Sequence, residues 1–260
     1  MKLLFITYHR TVAEPETDDV HTLTFNQFAR HVKLIQQAGV TVAGTHVLER
    51  DQPDPGHQIV ITFDDGNKSD LVNAELLVRH GMTAMFFIST ANIGRDGYLD
   101  EDDIRKLDGM GMLIGSHSHQ HKRLNKLPTA EARTQLKTSK QCLEAILGHS
   151  VQYIAFPGGG YSSSVVAMAT ELGFRHMMTT DWGVNTATHD SKKRHLYKRN
   201  NIMKNMPDSE FIRLITLKSR LRRGLTFFLK RLLRASLPEN SYGVIRKLVM
   251  SSNTINKSSN

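Results

Sequence analysis

Two short stretches hold residues whose types and spacing could do chemistry. In Ile61-Thr62-Phe63-Asp64-Asp65-Gly66, two adjacent carboxylates close an apolar run, and a glycine then lets the chain turn. In Gly115-Ser116-His117-Ser118-His119-Gln120-His121, three of the 13 histidines fall within five residues, again after apolar residues (Leu113, Ile114). Neutral imidazole offers a nitrogen lone pair to a metal. His117 and His121 can share one cation if the segment makes a helical or tight turn. Alternation at His117, His119 and His121 would instead set three imidazoles on one side of an extended strand. Taken singly, the first stretch reads as a strand-ending turn and the second as a polar loop. Taken together, two histidines and one carboxylate with an open position form the usual set of a catalytic zinc site. The other carboxylate is then free to act as a base. A cation in such a place activates water and polarises a carbonyl oxygen.

Positioning these residues requires elements that end where they stand. Apolar runs at Leu3–Tyr8, Val40–Ala43, Gln58–Phe63, Thr83–Ser89, Leu113–Ser116, Tyr153–Phe156 and His176–Thr180 predict strands covered on both faces. Helices are predicted over Phe25–Ala38, Asp70–His80, Asp100–Met110, Thr129–Leu147 and Ser162–Leu172, each followed by a glycine (Gly39, Gly81, Gly111, Gly148, Gly173) that stops it. Alternating units of this kind imply an α/β fold, a doubly wound sheet or a (β/α) barrel of about seven strands. Functional residues of such folds collect at the C-terminal ends of the strands, which is where both polar stretches lie.

Composition sets outer limits. At 260 residues with 39% hydrophobic and 23% charged residues, the chain has the balance of a globular protein with a real core. The single cysteine, Cys142, excludes an internal disulfide framework and a cysteine-rich zinc module. No apolar run approaches the ~20 residues of a membrane span. The six mainly apolar residues Leu3 to Tyr8 are short for a signal peptide, so the expected location is cytoplasmic. The net charge of +9 is uneven: residues 1–189 carry a balance of −4 and residues 190–250 one of +12. A nucleic-acid-binding role would therefore rest on the tail alone, and no nucleic-acid partner is expected.

The pairing of Thr62-Phe63-Asp64-Asp65-Gly66 with His117-Ser118-His119-Gln120-His121 about 50 residues later resembles the polysaccharide deacetylase family (the NodB homology domain, carbohydrate esterase family 4). The resemblance covers about residues 1–205 and implies a distorted (β/α) barrel. It implies Asp64 as catalytic base, and Asp65, His117 and His121 as ligands of a divalent metal, with Zn2+ favoured by the donor set. His119 falls at a variable position of the motif. The family's R-x-P-x-G motif is matched by Ala155-Phe156-Pro157-Gly158-Gly159, with Ala155 in place of the arginine that orients the base. Some exopolysaccharide deacetylases are similar in lacking it. The resemblance implies the Gly158 amide as oxyanion donor and Pro157 beside the substrate. The D-x-x-D-W motif is present as Met178-Thr179-Thr180-Asp181-Trp182, without its first aspartate. Trp182, the only tryptophan, either packs on a sugar face or joins the core. The L-x-H motif, whose histidine protonates the departing amine, has no counterpart after Trp182. His9, in Thr7-Tyr8-His9-Arg10, would stand near the barrel mouth in a structural role.

The implied activity is that of a hydrolase of carbon–nitrogen bonds other than peptide bonds, removing an N-acetyl or other N-acyl group from an amino sugar in a polysaccharide or glycolipid precursor. Alternatives are a deformylase or amidohydrolase acting on a lipid-linked amino sugar, and a catalytically silent sugar-binding relative. Three regions are expected: a catalytic domain over 1–205, a basic helical extension over 206–250 and a disordered tail over 251–260. Leu214, Leu217, Leu221, Leu225, Phe228 and Leu232 recur at helical steps opposite several arginines and lysines, predicting a basic amphipathic helix over 211–234. Such a face either packs on the barrel or makes peripheral contact with an anionic membrane.

Overall fold

The computed structural model describes residues 1–14, 19–49, 56–186 and 195–218. Along the chain these form β1 (Lys2–Tyr8), β2 (Thr11–Val12), β3 (Leu23–Thr24) and α1 (Phe25–Gln37). Then come β4 (His57–Asp65), α2 (Asp70–Arg79), β5 (Ala84–Ile88), α3 (Glu101–Gly109), β6 (Leu113–Ser116) and α4 (Thr129–Leu147). They continue with β7 (Tyr153–Ala155), α5 (Ser163–Glu171), β8 (His176–Met178), β9 (Asn185–Thr186), β10 (His195–Tyr197), β11 (Arg199–Asn201) and α6 (Asp208–Ile215).

Parallel pairing runs in the order β10-β8-β7-β6-β5-β4-β1-β11, with β9 added antiparallel to β1. The two ends of this path, β10 and β11, are separated only by Lys198, so one strip of chain brings the sheet round into a nearly closed barrel. Asn185 holds that joint. Its Oδ1 accepts from the Lys198 amide at 2.8 Å and its Nδ2 donates to the Lys198 carbonyl at 2.8 Å.

Period-two alternation divides the core. On β1 and β4, Leu4, Ile6, Ile59, Ile61 and Phe63 face the helices in the larger apolar cluster. Leu3, Phe5 and Val60 join Met85, Phe87, Tyr153, Ala155, Met178 and Tyr197 in the cluster that fills the lumen. Continuing the inward series from Val60 through Thr62 reaches Asp64 at the open end. Helix starts are fixed by side chains. Thr24 Oγ1 accepts from the Gln27 amide while Gln27 Oε1 accepts from the Thr24 amide. Asp100 and Asp103 make the same reciprocal box at α3. Each such cap contributes about 1 kcal/mol.

Three sequence expectations need correction. Val40–Ala43 is not a strand: only Val42 bridges, to Ile59. The closing strands β10 and β11 were not expected, because a segment rich in lysine, arginine and asparagine carries no apolar signal. Finally, the helix expected to begin at Phe211 begins at Asp208 and ends at Ile215. It stops because Leu217 takes a left-handed conformation (φ 56°), letting Lys218 N donate to Arg213 O at 2.9 Å. Helix α6 packs on α1, with the Phe211 ring stacked 4.0 Å from His31 and Arg30 paired with Asp208. The remainder of the basic stretch and the tail over 251–260 lie outside the described residues.

Candidate metal centre and active site

Asp64 and Asp65 finish β4, and the bend that turns at Gly66 is demanding. Asp65 has φ 83° and Gly66 φ 77°. A left-handed aspartate is uncommon, and it breaks the alternation so that successive carboxylates reach one site. On the neighbouring side, Gly115 continues the lumen face of β6. A Cβ there would lie 2.6 Å from the Phe87 ring, so only glycine lets β6 lie against that ring. Beyond the strand, Ser118 (φ 65°) and His121 (φ 57°) are also left-handed. Three of the four described non-glycine residues with positive φ therefore belong to these two loops. Strain concentrated in this way marks a functional site.

The loop is held from behind by α4. Ser116 Oγ lies 2.7 Å from Ser139 Oγ and accepts from the Ser118 amide at 3.0 Å. Gln135 Oε1 accepts from the Gln120 amide at 2.7 Å. These contacts turn the histidines apart: His119 packs outward, its Nδ1 2.9 Å from Thr90 Oγ1, while His117 and His121 face each other with ring centroids 4.9 Å apart. The tight-turn alternative thus describes the segment, and the three-on-one-side alternative does not.

His117 is wholly buried, and its Nδ1–H donates to the Ala155 carbonyl at 2.8 Å. Because a carbonyl only accepts, Nδ1 carries the proton and Nε2 presents its lone pair. That Nε2 lies 3.6 Å from Asp65 Oδ1 and 3.8 Å from Asp64 Oδ2, and His121 Nε2 lies 3.2 Å from Asp65 Oδ1. One ligand atom from each of Asp65, His117 and His121 falls within 4.8 Å of the other two. Asp65 Oδ1 is buried without an aligned hydrogen-bond donor. Two imidazole nitrogens and a carboxylate oxygen converging at this spacing are a donor set that a divalent cation satisfies, so these three residues fit a metal.

Electrostatics separate the two carboxylates. Burial raises Asp64, but the Arg199 guanidinium, together with His117 and His9, outweighs burial and holds its carboxyl well below the usual range. Asp65 is raised by burial yet brought below its ordinary value by His121, His117 and His9. Burial lowers His117, whereas the Asp65 contact raises His121.

Arg199 is the functional residue that the sequence did not reveal. It lies in β11, paired with Phe5 in register, and so points into the lumen. Its Nη1 and Nη2 donate to Asp64 Oδ1 and Oδ2, each at 2.7 Å, and its Nε donates to the Thr179 carbonyl at 3.1 Å. The group fixing Asp64 thus comes from the last strand of the barrel rather than from position 155. Position 155 contributes its backbone to His117 instead.

The remaining candidates are distributed as follows. Pro157 is buried, and Gly158 is exposed with φ 56° in the loop after β7. Trp182 is half-buried and packs against the larger core cluster. Asp181 Oδ2 accepts from the Tyr161 hydroxyl at 2.6 Å. His9 follows β1, its ring 4.9 Å from that of His21, with Nδ1 buried and without a hydrogen-bond partner. Among the described residues, no helix is long and apolar enough to cross a membrane.

Asp64 and Asp65 at the end of β4 thus meet His117 and His121 from the loop after β6, and Arg199 at the start of β11 reaches Asp64. Residues 51–177, just under half of the chain, match the polysaccharide deacetylase family model, so this stretch is similar to that family. Relatives include a peptidoglycan-N-acetylglucosamine deacetylase of Bacillus cereus, 27% identical over 50% of this chain and 45% of that protein. A chitin deacetylase of Colletotrichum lindemuthianum is 26% identical over 58% of this chain and 59% of its own. The chain thus spans about half the length of these curated relatives. Among solved structures, a Streptococcus pyogenes deacetylase, PplD, superposes with a TM-score of 0.73 at 18% identity, covering 83% of this chain and 98% of that one. BC0361, a Bacillus cereus polysaccharide deacetylase, superposes at 0.71 and 23% identity, covering 83% and 69%. At these identities, the superpositions show the barrel fold.

Proposed function

We propose that the protein is a metal-dependent N-deacetylase of amino sugars in a polysaccharide or glycolipid precursor, with Zn2+ as the favoured ion. The observation that carries this reading is the convergence of Asp65, His117 and His121 donor atoms beside an Asp64 whose carboxylate is locked by Arg199. The relatives that act on N-acetylglucosamine polymers support the substrate class. Bound at Asp65, His117 and His121, a divalent cation would supply Lewis-acid activation of water and of the acyl carbonyl.

The other steps belong to the chain. Asp64 takes the proton of the attacking water. Its low basicity in the Arg199 pair suits it to receive a proton only once that water is activated. The Gly158 amide donates to the oxygen that becomes negative as the tetrahedral intermediate forms. Pro157 restricts the loop that presents this amide, and Trp182 offers an aromatic wall to the sugar. The departing amine needs a proton. We assign it to Asp64, which returns to the amine the proton it took from the water. Collapse then releases a carboxylic acid and a free amine.

The decisive experiment is metal analysis combined with product analysis on a panel of N-acetyl, N-formyl and longer N-acyl sugars. Acetate release that depends on bound metal supports the reading, and preference for N-formyl substrates would redirect it to deformylation. Bound metal with no acyl release from any sugar would refute it. We also propose peripheral membrane contact through the part of the basic stretch 211–234 that follows Lys218, since Phe211, Leu214 and Ile215 are buried. It is tested by vesicle flotation of the full chain against a 1–218 truncation, and equal flotation of the two removes it.

A further inference from the structure

Arg123 stands two residues beyond His121 and lies across the loop after β7. A Cβ built on Gly158 would be 3.0 Å from Arg123 Nε, and one built on Gly160 would be 2.9 Å from Arg123 Cα. The two loops therefore touch through glycine backbone, with the arginine side chain resting on Gly158. They are also bonded, since the Asn125 amide donates to the Gly160 carbonyl at 3.2 Å. A Cβ sits about 2.5 Å from its own nitrogen, so Arg123 Nε is no more than about 5.5 Å from Gly158 N. The guanidinium therefore lies beside the Gly158 peptide, in the neighbourhood of the oxygen that this amide serves. The guanidinium has further N–H groups beyond Nε, which extend its reach.

We propose that Arg123 is a second donor to the oxyanion, acting with the Gly158 amide on the acyl oxygen. This inference rests on the deacetylase reading. A positive, multidentate donor at this place stabilises charge that exists fully only in the intermediate. Its removal therefore lowers kcat more than it raises KM.

The test uses the full-length, metal-loaded protein with Arg123→Lys and Arg123→Met. Steady-state hydrolysis of a chitin tetrasaccharide is measured alongside calorimetric binding of acetate. Met is expected to lower kcat by about 10- to 100-fold, to change KM by less than about threefold, and to weaken acetate about tenfold. Lys is expected to recover part of each loss. The proposal is overturned if Met keeps kcat within about twofold of wild type, or if Lys and Met fall together with a lowered Tm, which marks a packing role. Acetate binding separates the two readings. If no amino sugar is hydrolysed but acetate still binds in an Arg123-dependent way, the donor pair stands and the deacetylase reading falls. Equal acetate affinity in wild type and Met removes the donor pair whatever the turnover.

Discussion

Replacing Arg199 by methionine tests the arrangement at its most exposed point of logic. Arg199 and Asp64 are both buried, with side-chain exposures of 0% and 5%, and two 2.7 Å bonds join them. Removing one member leaves an uncompensated buried charge, which costs about 3–5 kcal/mol. For a domain of this size that corresponds to a fall in Tm of roughly 6–20 °C. The same change frees the Asp64 carboxyl to rise, because burial then acts against its ionised form with less opposition. In the wild type the Arg199 pair holds Asp64 ionised to below the ordinary carboxylate range, so its acidic limb lies below that of a free aspartate. In Arg199→Met the acidic limb governed by Asp64 should rise and move activity to higher pH. Urea unfolding and a pH–rate profile measure both effects. The double variant Arg199→Met with Asp64→Leu should recover part of the lost stability, since an apolar pair of similar volume replaces the ions. A single variant that loses less than about 1 kcal/mol, or a double variant whose losses simply add, would refute the reasoning.

Asp65→Ala and His117→Ala should each lose metal and turnover together, whereas Asp64→Asn should retain metal by elemental analysis while turnover collapses. Gln135→Ala frees the Gln120 amide and loosens the histidine loop, which should weaken metal affinity about tenfold or more in a competition titration. Gly115→Ala forces a methyl group against Phe87 and should cost about 1–3 kcal/mol in urea unfolding. Burial lowers His31 from 6.5 to about 4 and His176 likewise to about 4. Between those values the unfolded chain binds protons that the native state refuses. Stability is therefore full above pH 6.5 and is lost as pH falls towards 4. Tm measured across this window should drop, and His31→Gln should flatten part of the slope.

The sequence exposed what local rules control. Thr129–Leu147 is a helix stopped by left-handed Gly148, and β6 ends where its apolar residues end. Asp64, Asp65, His117 and His121 were legible because they are adjacent or evenly spaced at strand ends. Arg199 was not, since its meaning arises only from a bond spanning 135 positions. Strand β11 hides for the same reason: Asn200 is buried and donates to the Phe5 and Gly183 carbonyls, so a polar segment becomes interior through distant partners. Val42 misled in the opposite direction, because an apolar residue needs only one neighbour to be covered. His119 followed the spacing of its neighbours, yet a left-handed Ser118 turned it away.

The strip His195–Asn201 has a consequence for the order in which the molecule becomes competent. A nascent chain emerges from its amino end and begins to fold as it does so. The acidic pair and both imidazoles are present long before the guanidinium that steadies Asp64. Until Lys198 is threaded between the two margins and seized by Asn185, Asp64 lacks its guanidinium partner. A prematurely terminated or nicked polypeptide would display every recognisable signature and remain inert. Completion of the wall is thereby also the arming of the site.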